Sequence, residues 1–311
     1  MAIVVLLLVA AGLLYAGLVG SVVFALARPG RKTEGVALGR GLPIVPADAG
    51  LEGEAAVFTL SQGESTPGFI VRGDRADGPV CVVLHGFQDA RYNGLLRAWF
   101  VRQWVSATVL FDLPGHGDSA AKTPTYGKRE PADVAAVLDQ LPDELRGRPV
   151  VLMGYSMGGQ LVLRTAASDA VTPAGVICEQ PYRCLNGPIV NLMRRRRYPV
   201  RAVVPVVVWL LERVFGIARR FDRVEDAATL GAAGCPLWVA HGEADWLCPV
   251  EDGQAIAEAA QSAGGTTRLD VFPGSGHVAL FYEDAERYTA GLAWLFEQAD
   301  ARPDTPIEPR G

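Results

Sequence analysis

What the chain has little of already excludes several kinds of protein. Its 29 lysines and arginines are outnumbered by 34 acidic residues, and the net charge of -5 excludes the strongly basic surface that binds nucleic acid. Internal repeats and low-complexity blocks are missing, so the 311 residues suit one large domain or two small ones.

Cysteine is scarce, and the spacing of the cysteines matches no disulfide or zinc-binding pattern. The five cysteines are odd in number and form no C-x-x-C pair, which is evidence against a disulfide or zinc scaffold. Several lie in apolar runs with the character of strands, where a free thiol acts as a small hydrophobic side chain. We therefore expect reduced core thiols in a reducing compartment, at Cys81, Cys178, Cys184, Cys235 and Cys248.

The first 27 residues contain no charged side chain. A helix over 2–27 would be about 39 Å long at ~1.5 Å per residue, enough to cross a hydrocarbon core of about 30 Å. Basic residues follow this segment and none precedes it, a bias that places the rest of the chain in the cytoplasm; they are Arg28, Arg31, Lys32 and Arg40. We expect a single-pass membrane helix at 1–27.

The alternative is a secretory signal that is cleaved after Ala25-Leu26-Ala27, which would release a secreted protein. Signal peptides carry an apolar region of about 7–15 residues behind a basic segment. Here the apolar run is longer and no lysine or arginine comes before it, so the retained helix is the favoured interpretation.

Composition divides the remainder into three parts. Residues 28–50 are punctuated by Gly and Pro and are interpreted as a linker, and the Pro-rich tail 299–311 is expected to be disordered. Between them, in 51–298, apolar runs alternate with helical patterns. Strands are predicted at 56–61, 68–73, 79–86, 107–113, 149–155, 174–180, 236–242 and 267–273, and helices at 92–104, 130–141, 157–168, 249–263 and 281–298. This alternation predicts a mostly parallel sheet with helices on both faces.

One stretch, 181–235, is longer than a strand-to-strand crossover requires. Insertions of this length commonly form a cap over the carboxyl edge of the sheet. It contains Arg194–Arg197 and Arg201, followed by the apolar run 202–211, which is too short to cross a bilayer. We expect a helical cap whose arginines are solvated, and an alternative is that they contact anionic lipid headgroups.

Gly154-Tyr155-Ser156-Met157-Gly158 matches G-x-S-x-G, directly after a predicted buried strand and before a predicted helix. Glycines on both sides permit a sharp turn that pushes the Ser156 hydroxyl out above the sheet. The start of the following helix favours developing negative charge. A serine hydroxyl in this position is a candidate nucleophile.

A serine hydroxyl needs a base, and the histidines are His85, His116, His241 and His277. Enzymes with G-x-S-x-G run in the order serine, acid, histidine. Only His277 follows Ser156 and leaves room for an acid at a separate strand end, which Asp245 provides. Glu179 is a rival acid, and the other three histidines are interpreted as structural.

An oxyanion hole requires two backbone N–H donors, one of them from the residue after the nucleophile. That residue is Met157. The second donor is expected from Phe87, in the loop after strand 79–86, where Gly86 allows close approach.

The motifs "LHGF", "DLPGHGDS", "GYSMGG", "HGEADWLCP" and "GSGH" occur in the order and spacing of the α/β-hydrolase superfamily. The chain most resembles its monoacylglycerol-lipase-like and serine-aminopeptidase-like branch over about residues 50–298, where a cap often follows the sixth strand. The resemblance implies the α/β-hydrolase fold and a catalytic triad of Ser156, Asp245 and His277. Tyr155 differs from many relatives, which carry His before the nucleophile.

The function expected from these residues is hydrolysis of carboxylic esters with apolar acyl groups, without a metal or other cofactor. Acyl transfer to an alcohol or amine and peptide cleavage use the same residues and stay open, as does cofactor-free peroxidase or lyase chemistry. From another class, the chain could be a catalytically silent binding protein on the same scaffold. The cap sets the substrate, so the motifs leave it undetermined.

Overall fold

The apolar runs form one eight-stranded sheet in the computed structural model, which describes residues 1–215, 222–278 and 280–301. From β1 to β8 the strands are Gly53–Thr59, Ser65–Arg72, Val80–Leu84, Ala107–Phe111, Val150–Tyr155, Gly175–Glu179, Leu237–Gly242 and Thr267–Phe272. Their spatial order is β1-β2-β4-β3-β5-β6-β7-β8. β2 pairs antiparallel with β1 and with β4, and all pairs from β3 to β8 are parallel.

Helices cover both faces of this sheet, and every residue of β3 to β7 is buried. One face packs against α3 (Arg91–Val101) and α11 (Ala285–Asp300), which follows the short α10 (Leu280–Glu283). The other face packs against α4 (Glu130–Asp139), α5 (Met157–Ala166) and α9 (Val250–Ser262). Strands that are buried on both sides favour apolar residues at nearly every position, which explains their nearly continuous apolar runs. The predicted α/β-hydrolase fold with a mostly parallel sheet is confirmed.

The stretch 181–235 contains three described helices, α6 (Asn186–Arg195), α7 (Val200–Phe215) and α8 (Arg223–Ala232). Residues of α6 line the cavity above Ser156, and α7 packs against α6 and α1. By contrast, α8 packs on α5 and α9 in the layer that flanks the sheet. The cap over the cavity is therefore α6 and α7, and α8 is the crossover helix between β6 and β7.

The apolar N-terminal segment forms one helix, α1 (Ala2–Ala27), with a mean hydropathy of 2.7 over its best 18-residue window. It is long and apolar enough to cross a membrane, although a signal sequence has the same properties. Its first 17 residues, counted from Met1, are exposed, whereas Val19, Val23 and Leu26 are buried where the helix packs against α7. The first part of α1 is thus exposed, and its last turns pack against the domain.

Residues 28–50, predicted as a linker, contain a short helix, α2 (Glu34–Gly39), and a 3-10 turn at Pro46–Ala49. Two side chains fasten this segment to the domain. Arg31 donates to the carbonyls of Ser119 and Ala121 at 2.7 Å each, and Lys32 forms an ion pair with Asp89 at 2.5 Å. Of the predicted tail, positions 299 and 300 end α11, and 302–311 lie outside the described residues.

Candidate active site

Ser156 lies at the sharp corner between β5 and α5, with φ = 54° and ψ = -117°. This left-handed backbone is unfavourable for a residue with a Cβ atom and is held by its surroundings. One of these restraints is a hydrogen bond of 2.8 Å from the Ser156 N–H to the Glu179 carbonyl. A Cβ atom at Gly154 would lie 2.3 Å from the Gly158 oxygen, and one at Gly158 would lie 1.9 Å from the Leu84 oxygen. Both positions require glycine, because backbone atoms of Gly158 and Leu84 occupy the space that a Cβ atom would need.

Gly158→Ala is expected to reduce the free energy of unfolding by about 3 kcal/mol or more, because the new Cβ atom collides with the backbone of a central strand. Thermal unfolding of the purified protein measures this. Gly35→Ala, in α2 and with no atom within 4 Å of the added Cβ, is the control. Equal melting temperatures for the two variants would contradict the prediction.

The three side chains that were selected from chain order form one hydrogen-bonded series. His277 Nε2 lies 2.9 Å from Ser156 Oγ, and His277 Nδ1 lies 2.7 Å from Asp245 Oδ2. Ser156 and Asp245 are buried, and His277 is half-buried, at 15% side-chain exposure. These distances are within the range for a nucleophile, its base and the group that orients the base.

Asp245 is held in place by backbone groups of its own loop. Its Oδ1 atom accepts hydrogen bonds from the N–H groups of Leu247 and Cys248, both at 2.9 Å. The other oxygen, Oδ2, is left for His277. A carboxylate that accepts Nδ1–H sets the imidazole tautomer in which Nε2 is free to accept the serine proton.

The structure places Glu179, the rival acid, in a different group of side chains. At the end of β6 it accepts hydrogen bonds from Arg97, with the shortest at 2.6 Å, and from the Tyr288 hydroxyl at 2.5 Å. Both oxygens are therefore occupied by buried partners on α3 and α11. Glu179 forms a buried ion pair with Arg97, and among the described residues its side chain makes no hydrogen bond to His277.

The two residues expected to supply the oxyanion donors both lie close to Ser156. Met157 is the first residue of α5, and Phe87 follows Gly86, where an added Cβ atom would lie 3.5 Å from Ser156 Cβ. Within the described part of the chain, neither the Phe87 nor the Met157 N–H donates a hydrogen bond. Two unpaired donors beside a serine hydroxyl are the arrangement that stabilises an oxyanion.

Tyr155 has a role that the motifs did not reveal. Its hydroxyl donates to Asp89 Oδ2 at 2.8 Å, and its ring lies against the Arg97 guanidinium at 3.6 Å. Asp89 belongs to the loop that carries Phe87 and is also the partner of Lys32. Tyr155 thus ties the corner that carries the serine to the loop of the second expected donor.

The remaining histidines are buried and bonded to backbone atoms. His85 Nδ1 lies 2.8 Å from the Gly86 carbonyl, His116 Nδ1 lies 2.9 Å from the Pro114 carbonyl, and His241 Nε2 lies 2.8 Å from the Cys248 carbonyl. Burial lowers the pKa of all three, and that of His116 falls to about 3. Neutral rings with such contacts fix the loops around the strand ends.

The low pKa of His116 predicts acid sensitivity. Below about pH 6.5, His116 in the unfolded chain takes up a proton that it does not take up in the folded protein. His116 alone therefore lowers the free energy of unfolding by about 1.4 kcal/mol per pH unit until the pH approaches 3. His116→Asn is expected to reduce this slope by that amount, as measured by chemical denaturation between pH 4 and 7. If His116 were protonated in the folded protein, the plots of unfolding free energy against pH would be parallel for the wild type and His116→Asn.

Sequence reasoning missed Cys248, three residues after Asp245. Its thiol lies so close to Asp245 and His277 that the ligand atoms of all three are within 4.8 Å of one another. Such a set could hold a metal ion, but the thiolate is the form that binds metals, and burial raises the pKa of Cys248. The carboxylate and imidazole are also already bonded to each other. The arrangement favours proton transfer over metal binding.

Above Ser156 lies a cavity of about 470 Å³, a size that is common for small-molecule sites. Its floor includes Ser156, Met157 and His277, and Phe87 lies at its side. Its roof is mostly apolar and comes from the cap, with Leu185, Ile189, Leu192 and Met193. Its charged lining residues in the described chain are Asp89, at the loop, and Arg196, at the end of α6.

A serine on a strained strand–helix corner, with a histidine and a carboxylate at the ends of later strands, defines the class of α/β-hydrolase folds. Comparison with protein-family models supports the same class. Residues 81–290 match the model of the alpha/beta hydrolase family, and the chain belongs to this family.

Solved structures share the fold at low sequence identity. An esterase from Pyrococcus furiosus superposes with a TM-score of 0.65, at 19% identity, over 82% of this chain and 95% of its own. A thermophilic esterase from Thermogutta terrifontis gives 0.56, at 21% identity, over 79% and 99%. An acylaminoacyl peptidase from Pyrococcus horikoshii gives 0.59, at 13% identity, over 84% and 43%.

Curated relatives are similar over a shorter segment. Protein phosphatase methylesterase 1 from Pongo abelii is 31% identical over 146 residues, which are 43% of this chain and 36% of the relative. The human protein of that name is 31% identical over 109 residues, 33% of this chain and 27% of its own length. The chain therefore spans about a third of the relatives that it matches.

Proposed function

We propose that this protein is a serine hydrolase that cleaves carboxylic esters with apolar acyl groups through an acyl-enzyme. The observation that carries the proposal is the continuous series Asp245–His277–Ser156, with distances of 2.7 and 2.9 Å, beneath an apolar cavity. No metal or organic cofactor has a role in it.

In the first half of the reaction, Ser156 Oγ attacks the ester carbonyl while His277 Nε2 takes its proton. Asp245 stabilises the imidazolium that forms, and the N–H groups of Phe87 and Met157 hold the oxyanion. The proton then passes to the leaving alcohol, and the acyl group remains on Ser156. In the second half, His277 activates a water that attacks this ester and releases the acid.

The family and its relatives support ester hydrolysis as the reaction class. Several of the structurally similar proteins are esterases by name, and the curated relatives are methylesterases. The acyl preference is proposed from this chain's own cavity, because its roof is built from apolar side chains of α6 and of Leu185, which precedes this helix. Burial of such a chain is favourable by about 0.8 kcal/mol per methylene group.

A fluorophosphonate probe and p-nitrophenyl esters of increasing acyl length test the proposal. Covalent labelling at Ser156 and turnover that rises with chain length are expected. A protein that neither labels nor hydrolyses would be a binding scaffold. Addition of alcohols or amines separates hydrolysis from acyl transfer by the product, and peptide amides test the peptidase alternative.

The proposed location is a membrane, through α1, with the domain on the cytoplasmic side. Support comes from the apolar length of α1 and the basic residues that follow it. We expect the active protein to sediment with membranes and to resist extraction by high salt. A reporter fused to the C-terminus tests orientation, and an active soluble protein that lacks 1–27 would instead indicate signal cleavage.

A further inference from the structure

The end of the apolar N-terminal helix reaches the cavity above Ser156. Four of its residues, Ser21, Val22, Ala25 and Leu26, line this cavity together with the cap. They recur at a spacing of three or four residues, so they share one face of α1. This face is separated by 130 residues and more from the serine that it neighbours, and its position depends entirely on tertiary packing.

Three contacts attach α1 and the segment that follows it to the domain. The Tyr15 hydroxyl donates to the Ala202 carbonyl on α7 at 2.7 Å, and the Tyr126 hydroxyl donates to the Leu26 carbonyl at 2.8 Å. Behind the helix end, Lys32 pairs with Asp89 in the loop of Phe87. The last turns of α1 are therefore a fixed wall, joined to the cap on one side and to the expected oxyanion loop on the other.

The exposed part of α1 ends a few residues before Ser21, the first residue of α1 that lines the cavity. Residues 2–17 are exposed and would be about 24 Å long, most of a hydrocarbon core of about 30 Å. The contact between Tyr15 and Ala202 places Arg201 at the same level. Close by in the chain are three more exposed arginines, Arg194 and Arg195 in the last turn of α6 and Arg197 in the turn that follows. An exposed apolar helix with guanidinium groups at one end is the arrangement expected at a membrane surface, where the helix lies in the hydrocarbon core and the arginines contact lipid phosphates.

We propose that α1 is part of the substrate site: its last turns form one wall of the acyl cavity, and the substrates are acyl esters of membrane amphiphiles. The acyl chain enters between α1 and α6 while the polar group stays at the arginine-rich turn. This rests on the ester hydrolysis proposed above and adds that the helix is retained in the active protein and selects acyl length.

Ala25→Trp in the full-length protein tests the wall, because Ala25 lines the cavity and is not part of the serine, histidine or oxyanion groups. We expect kcat/KM for a p-nitrophenyl decanoate to fall about tenfold or more, and that for the acetate to stay within about twofold, since only a long chain reaches the wall. Ala16→Trp, on the exposed part of the same helix, is the matched control and should leave both values unchanged.

A small fluorophosphonate separates this proposal from the one on which it rests. Failure of the wild type to label at Ser156 overturns the hydrolase, whereas identical chain-length profiles for Ala25→Trp and Ala16→Trp overturn only the wall. If Ala25→Trp does not label, Val22→Ala decides: it should raise turnover of hexadecanoyl relative to decanoyl ester severalfold, and an unchanged ratio refutes the wall. The intact mass of the labelled wild-type protein must include α1.

Discussion

Ser156→Ala is expected to lower kcat for ester hydrolysis by about 10⁵-fold or more and to abolish fluorophosphonate labelling, because the variant lacks the hydroxyl that lies 2.9 Å from His277 Nε2. The nearby Cys248 thiol is not expected to replace it, since burial raises its pKa and keeps it from forming the thiolate. The side chain lost is small and the backbone of the corner is unchanged. Folding should therefore be retained, and the loss is chemical. Steady-state kinetics with a medium-chain p-nitrophenyl ester measure it.

Ser262→Ala is a suitable control, since Ser262 is an exposed residue at the end of α9. It should keep wild-type kcat and full labelling. Equal labelling of wild type and Ser156→Ala would falsify the assignment of the nucleophile, and residual turnover near the wild-type rate would point to chemistry elsewhere in the cavity.

Asp245→Asn is expected to lower kcat by about 10⁴-fold with a small effect on folding, since the amide keeps the shape but not the charge of the carboxylate. An amide that donates to His277 Nδ1 would favour the wrong tautomer, in which Nε2 carries the proton and cannot accept one from Ser156. Active-site titration followed by burst and steady-state kinetics separates slow acylation from loss of folded protein.

Glu179→Gln is the informative comparison, because Glu179 was the rival acid. Its ion pair with Arg97 is buried, so the substitution should lower the melting temperature by leaving Arg97 without its charged partner. Per titrated active site, kcat should stay within severalfold of wild type. The reverse pattern, with Glu179→Gln inactive and Asp245→Asn active, would assign the acid to Glu179.

The sequence alone predicted the strands, the serine corner and the series of Ser156, Asp245 and His277, and it did so for a physical reason. Strands buried on both faces are apolar at nearly every position, which makes them recognisable as short apolar runs. The carboxyl ends of parallel strands meet at one edge of a sheet. Polar residues directly after such runs are therefore brought together whatever lies between them, as the distances of 2.7 and 2.9 Å show.

The sequence pattern was less informative where more than one residue had the chemistry for the same role. Glu179 and Asp245 both follow a strand, and only the positions of Arg97 and Tyr288 show which carboxylate is already bonded. Cys248 and Tyr155 acquire their neighbours through loops whose course no periodicity describes. The stretch 28–50 is irregular in composition, yet Arg31 and Lys32 attach it to the domain.

The sequence by itself determined the fold, the candidate catalytic side chains and the presence of an apolar helix at the start of the chain. Only the tertiary structure decided which face of that helix packs against the cap and that its last turns line the cavity. α1 is apolar on every face, so its composition suits lipid, cap and cavity equally. The choice among them depends on contacts between segments far apart in the chain, such as Tyr15 with Ala202 and Leu26 with Tyr126.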